Sequence, residues 1–498
     1  MIGQVITTII SALTIIWIAR VIGPISYGEY TVALVPISLL LLLQDLGINQ
    51  ALIRFCSIYR HEKKAGLRSL VLTGLFFSLA TCLLLNILLY AFAGSIASIF
   101  LQRPELMTLI QASSLSILGQ GLLSTAQAIL VGYEKMALKS ITQIIYSLIR
   151  GIVGVALILL GMGPFGAIAS YTASLFISGL IGVIFVLLFL QLKKDGIRPS
   201  LTTLKILLAF GFPLSLGTIL GGVLPQVYNS LMVIYASTEM IGNYGATTNF
   251  AVLVTFFTVP ITTVLFPLFS KFNRLDPQLN FLFRAAVKYT SIVTMPVVLV
   301  IVLLVAPISR IIYTTNYPLV PIYLSLYILN YAFEGLGGIS LSNLISAMGE
   351  SRVLLVSTII TFITGAFLAF LLIPPYQIIG LLIAMLIAPR IGWLYQIFWV
   401  KKTLKITLDW NSSIRVYATS IVAFVVAYLI LNLFRLQGWV ALILGSSSFL
   451  LTYAILLPLI GALKRTDIEQ LKIIADSMSV LKPIFLVIIS ILAKLVKT

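Results

Sequence analysis

Charge is what this chain has least of: 14 Asp and Glu in 498 residues, with residues of either sign making up 9%. Soluble domains carry about 25% charged residues, so this shortage excludes a water-soluble globule with a polar rind. There is a single histidine, His61 in the basic stretch "YRHEKK", and we assign it no role. The two cysteines, Cys56 and Cys82, are too few for a disulfide framework and read as small buried hydrophobes. No cluster has metal-ligand spacing, and the glycine patterns of a P-loop or a dinucleotide fingerprint are absent. No metal, no cofactor and no ATP-driven step are expected.

What fills the chain instead is apolar: 60% hydrophobic residues and a mean hydropathy of +1.13. A bilayer crossing takes roughly 20 such residues. Apolar runs between charged or Gly/Pro breaks predict helices at 2–19, 30–53, 69–93, 106–131, 141–161 and 164–190. A second set follows at 206–236, 244–270, 289–313, 319–347, 353–373 and 377–400, then a pair at 414–434 and 437–462. The fold class is therefore all-α, a polytopic membrane protein of 14 transmembrane helices. The first run has neither a basic lead-in nor a small-residue cleavage site, so it is read as a retained helix.

The net charge of +18 is spread by loop, which argues against nucleic acid as a partner. With the N-terminus on one side, that side collects 26 of the 32 Lys and Arg, including Arg54, Lys271, Arg352, Lys401 and the tail. The other side holds only Arg20, Arg103, Arg310 and Arg435; Arg150 and Arg390 lie within apolar runs. The bias predicts a cell-membrane protein with both termini cytoplasmic. Arg20 then sits on the disfavoured side and needs another reason to exist.

A shift of 217 residues places Tyr27-Gly28 on Tyr244-Gly245, Arg54 on Lys271, and Gly132 on Gly349. A constant offset with matching helix counts predicts two six-helix bundles, 1–190 and 206–400. Because six is even, the repeat is parallel, about an axis along the membrane normal. The stretch 191–205, with "QLKKDGIRPSLTT", is the cytoplasmic linker, 414–462 holds the last two helices, and 463–498 is a cytoplasmic or interfacial tail. No loop is long enough for a soluble catalytic domain.

An ionised side chain at mid-bilayer costs about 2.5–3.5 kcal/mol on insertion scales. Each such residue therefore needs a partner, water or a function. Arg150, flanked by Gly151 and Gly154, and Glu334 in "NYAFEGLGG" are read as lining a hydrated cavity. Arg suits an anionic headgroup through paired hydrogen bonds to phosphate, and a carboxylate suits a coupled proton or sodium ion. For Asp45 in "LLQDLGINQ" and for Arg390 after Pro389, the same role and simple pairing across the bundle both stand. Single amides such as Gln127 and Gln226 read as helix-to-helix hydrogen bonds.

"ARVIGPISYGEY" followed by "DLGINQALIR" resembles the N-terminal signature of polysaccharide and O-antigen flippases. That family moves lipid-linked oligosaccharides and shares a superfamily with multidrug exporters and lipid II flippases. "EMIGNYGATTNF" and "SNLISAMGESR" extend the resemblance into the second half. It implies transfer of a polyprenyl-(pyro)phosphate-linked oligosaccharide from the cytoplasmic to the outer leaflet by alternating access, ion-coupled to H+ or Na+, with no enzymatic chemistry. It also implies a cavity-lining role for Arg20, through the shared Arg-x-x-Gly motif, with Glu29 as its resting partner; for Arg54 a second pyrophosphate contact and simple cytoplasmic anchoring both stand. The second half has Ser237 where an arginine would match Arg20. The partners expected are the lipid-linked glycan, membrane lipids and the coupling ion, with the protein a monomer. A small-molecule exporter of the same superfamily is the alternative; a membrane glycosyltransferase would need outer-loop acids beyond Glu29, Glu105 and Glu239.

Overall fold

Where no water can bond the backbone, an apolar run satisfies its N–H and C=O groups internally, and the helix is the single-segment way to do so. The computed structural model, described for residues 2–61, 66–189, 199–274, 276–407 and 409–463, is built that way, with no strand among those residues. Eleven of its helical stretches are long and apolar enough to cross a membrane. The chain divides into two compact units, Met1–Asn249 with Phe362–Ala384, and Phe250–Thr361 with Met385–Thr498.

The first unit contains α1 (Ile2–Ala33), α2 (Val35–Leu41), α3 (Ile48–His61), α4 (Leu67–Ser95), α5 (Met107–Gly132), α6 (Met136–Leu159), α7 (Gly163–Phe189), α8 (Leu201–Tyr235) and α9 (Thr238–Thr248). One of its cores gathers Ile48, Leu52 and Cys56 of α3 with Val71, Ala126, Ile129 and Val186. The second unit contains α10 (Ala251–Phe269), α11 (Pro277–Leu303), α12 (Val305–Tyr313), α13 (Val320–Leu329), α14 (Gly338–Ala347), the outer portions of α15 (Ser351–Trp399), α16 (Trp410–Leu433) and α17 (Gly438–Leu459). Phe269, Phe283, Leu341, Leu344 and Val400 form its core.

Several expected helix boundaries move. The gap expected between residues 19 and 30 is helix: α1 runs through it and breaks at one residue, Gly23 (φ 78°, ψ 171°), followed by Pro24. The helix expected at 30–53 is instead interrupted, because Leu46 and Gly47 both take positive φ. Asp45 therefore lies between helices, its Oδ1 accepting the Gly47 amide at 2.8 Å. Residues 319–347 form three pieces, α13, a 3-10 stretch Asn330–Leu336 and α14, hinged at Gly337 (φ 99°). Conversely, 353–373 and 377–400 run together as α15, bent at Gln377. Pro213 and Pro225 stay inside α8, and Pro260 and Pro267 inside α10. Most of the 191–205 linker and the tail beyond 463 lie outside the described residues.

Candidate functional site

In the first unit the site grows from Arg150, on α6. One turn earlier on the same face, Tyr146 accepts a hydrogen bond from Arg150 Nη1 at 3.1 Å. Tyr30, near the end of α1, accepts one from Nη2 at 2.7 Å. The guanidinium lies 5.1 Å from the ring centroid of Tyr171 on α7. Tyr27 stacks on Tyr30 at 5.6 Å, and its hydroxyl takes a hydrogen bond from Asn249 Nδ2 at 3.1 Å. The flanking glycines allow this assembly: a Cβ at Gly151 would come within 2.9 Å of Thr14 Oγ1 on α1, and one at Gly154 within 3.1 Å of Ser170 Oγ on α7.

A cation held by phenols differs from one held by carboxylates. Its hydrogen bonds are satisfied in part, but its charge is not cancelled. The hydrogen-bonded and ring contacts of its guanidinium are Tyr146, Tyr30 and Tyr171, and among the described residues its Nε is buried with no hydrogen-bond partner. Such a group in a low-dielectric bundle is poised for an anion.

In the second unit Arg390, on α15, donates from Nη2 to the Asn330 carbonyl at 2.6 Å and to Asn330 Oδ1 at 3.3 Å. Its guanidinium stands 4.1 Å from the Phe333 ring centroid, and Glu334 acts on it electrostatically. The 3-10 stretch carrying Asn330, Phe333 and Glu334 is tied down by Tyr417, whose hydroxyl donates to the Ala332 carbonyl, and by Ser291, which donates to the Gly335 carbonyl. The Glu334 carboxylate lies over Gly338, where a Cβ would sit 2.7 Å from Oε2.

The other charged candidates lie apart from these two centres. Arg20 is exposed on α1, three residues before the Gly23 break. Glu29 is half-buried on α1, and the charge of Glu105 acts on it. Arg54 is exposed on α3 and rests its guanidinium 4.3 Å from the Phe210 ring centroid. Asp45 caps the turn described above. Cys56 and Cys82 are free and buried, and burial pushes the Cys56 thiol up to about 12, which leaves it inert. Among the described residues no group of three or more His, Cys, Asp or Glu could hold a metal.

Three features escape sequence reading. The tyrosines around Arg150 look like ordinary apolar residues, although the i, i+4 spacing of Tyr146 and Arg150 could have signalled one of them. Arg103, read as an outer-loop charge, donates to Thr238 Oγ1 and, through Nη2, to the carbonyls of Ala236 at 2.7 Å and Val233 at 3.3 Å. Trp393 and Gln396, one and two turns beyond Arg390, line a polar cavity with it.

No curated protein matches the chain. Among solved structures it is similar to a lipid II flippase MurJ in an inward closed conformation, with a TM-score of 0.75 at 18% identity, covering 92% of this chain and 98% of that one. It is also similar to an inward-facing multidrug resistance MATE family transporter of the MOP superfamily, with a TM-score of 0.65 at 17% identity over 80% of this chain and 95% of that one. A MOP superfamily transporter from Pyrococcus furiosus aligns with a TM-score of 0.54 at 17% identity, over 81% of this chain and 96% of that one. These likenesses give the fold, that of the MOP transporters. The family model described as "Polysaccharide biosynthesis protein" matches residues 1–273, more than half of the sequence, and the chain belongs to that family of multi-pass membrane proteins.

Proposed function

We propose that this protein is a flippase that carries a polyprenyl-(pyro)phosphate-linked oligosaccharide from the cytoplasmic to the outer leaflet of the cell membrane, for surface polysaccharide or glycoprotein synthesis. The observation that carries the reading is Arg150: a guanidinium within an apolar bundle, held by tyrosines and, among the described residues, bridged to no carboxylate. A permanent salt bridge would cancel that charge. A phosphate diester or pyrophosphate passing through would meet it uncancelled, and the tyrosine hydroxyls add donors for its oxygens. Family membership and the lipid-flippase fold support the same cargo class.

In this proposal two six-helix bundles, 1–190 and 206–400, alternate access around the cargo by rocking. Arg20 and Arg54, both exposed, contribute to the anion path, with Arg54 receiving the headgroup at the cytoplasmic side. Arg390 contacts the cargo in the second unit. Glu334, Asp45 and Glu29 are the carboxylates available to a coupling H+ or Na+. The protein works as a monomer and makes and breaks no covalent bond.

The test is leaflet transfer of a fluorescent polyprenyl-pyrophosphate oligosaccharide in proteoliposomes containing only this protein, with and without a proton or sodium gradient. Transfer that falls to the protein-free rate in Arg150→Gln is expected. Transfer that ignores Arg150, or export of cationic dyes without any glycolipid transfer, would move the assignment to a small-molecule exporter.

A further inference from the structure

A cavity of about 440 Å³ lies wholly inside the second unit, between the 3-10 stretch, α14 and two turns of α15. That volume falls in the range of about 300–1,000 Å³ typical of small-molecule sites. For a membrane bundle its wall is unusually polar: Glu334, Ser342, Arg390 and Gln396 stand beside the rings of Phe333 and Trp393. We propose that this cavity is a pyranose subsite, which takes a neutral sugar ring of the glycan. The proposal rests on the lipid-linked oligosaccharide reading for the source of the sugar.

The charge pattern argues against the simpler occupants. A bound cation needs several converging oxygens with net negative charge. Here the one wall carboxylate, Glu334, acts electrostatically on Arg390, and no cluster of three acidic, His or Cys ligands exists among the described residues. A phosphate needs net positive charge, and Glu334 opposes it. Opposite charges side by side leave a site suited to an uncharged ligand of many hydroxyls.

The hydrogen-bonding groups point the same way. Ser342 Oγ donates to Gln396 Oε1 at 3.2 Å, Gln396 Nε2 donates to Ser357 Oγ at 2.9 Å, and Ser357 donates to the Gly392 carbonyl at 3.0 Å. This relay fixes the amide and hydroxyls before any ligand arrives, which lowers the entropic cost of binding. A pyranose has a rim of hydroxyls, each both donor and acceptor, and a C–H face that packs on an aromatic ring. The rings of Phe333 and Trp393 stand in the wall, and Trp393 is only partly buried and lies at right angles to Trp410, 6.3 Å between centroids.

The experiment is saturation-transfer NMR on the full chain in nanodiscs with free glucose, galactose and N-acetylglucosamine. Leaflet transfer of the labelled lipid-linked oligosaccharide is measured on the same preparations. At least one sugar is expected to give a signal that falls fivefold or more in Trp393→Leu and in the milder Ser342→Ala, and is unchanged in Arg150→Gln. Thermal unfolding confirms that each variant is folded, and Ser342→Ala decides if Trp393→Leu is not. Sugar signals no larger than those of protein-free nanodiscs, or equal in wild type and Ser342→Ala, overturn the subsite; if glycolipid transfer persists in that case, the flippase reading stands alone. Sodium-23 binding that depends on Glu334, with no sugar signal, overturns it in favour of a cation site. Sugar binding that depends on Trp393 in a protein that transfers no glycolipid supports the subsite and overturns the flippase reading.

Discussion

At the scale of the residue, the argument depends on the shape of the guanidinium as well as its charge. Arg150 sends Nη1 and Nη2 to two phenols on different helices, a fork that a lysine ammonium cannot reproduce. Arg150→Lys is therefore expected to cut glycolipid transfer at least tenfold despite keeping the charge; transfer at the wild-type rate would mean that charge alone suffices. In the second unit the tight spot is Gly338. An added methyl would sit 2.7 Å from Glu334 Oε2, so Gly338→Ala must displace the carboxylate. Overpacking of this kind costs about 1–3 kcal/mol, which thermal unfolding would register. Arg150, Glu334 and Arg390 were legible because an isolated charge in an apolar run stands out. Their surroundings were not, because a tyrosine's helix partners are set by how three helices meet, and nothing local in the sequence states that.

At the scale of the element, helix ends need partners for their last carbonyls, and α8 obtains them from a distant loop. Arg103 bonds the carbonyls of Val233 and Ala236 at the close of α8 and the Thr238 hydroxyl at the opening of α9. A cation there also complements the negative end of the helix dipole. Arg103→Gln is expected to lower stability by about 1.5–3 kcal/mol, the scale of hydrogen bonds to a charged group, measured as a fall in the unfolding midpoint. A midpoint equal to wild type would reduce Arg103 to a surface charge. Beside it, α1 and α9 touch backbone to backbone: a Cβ at Gly28 would lie 1.9 Å from the Thr238 carbonyl oxygen, and one at Gly242 would lie 1.8 Å from that of Pro24. Helix existence is readable from apolar run length, whereas helix breaks are readable only in part: the breaks at Gly23 and Gln377 fall in or beside expected gaps marked by prolines, but those at Leu46 and Gly337 fall inside expected helices.

At the scale of the whole molecule, direction of transport depends on which way the chain sits in the membrane. Twenty-six Lys and Arg on one set of loops against four on the other is a bias that sets orientation during insertion. The two native cysteines are buried, so they leave a low background for labelling introduced ones. Glu105→Cys and Arg435→Cys lie at exposed positions on the poorly charged side, and Lys271→Cys and Arg352→Cys at exposed positions on the basic side. A membrane-impermeant maleimide is expected to label the first pair in intact cells and the second pair only after permeabilisation. The reverse pattern would place both termini outside. It would turn Arg54 toward the outer leaflet and make the proposed transfer an inward one. Arg20 gives the result a second use. If the expected pattern holds, an arginine stands on the side that insertion disfavours, beside the one break in α1. In the proposed reading Arg20 meets the cargo there, so Arg20→Ala is expected to insert normally and lose glycolipid transfer. Normal transfer by that variant would leave Arg150 and Arg54 as the anion contacts of the first unit.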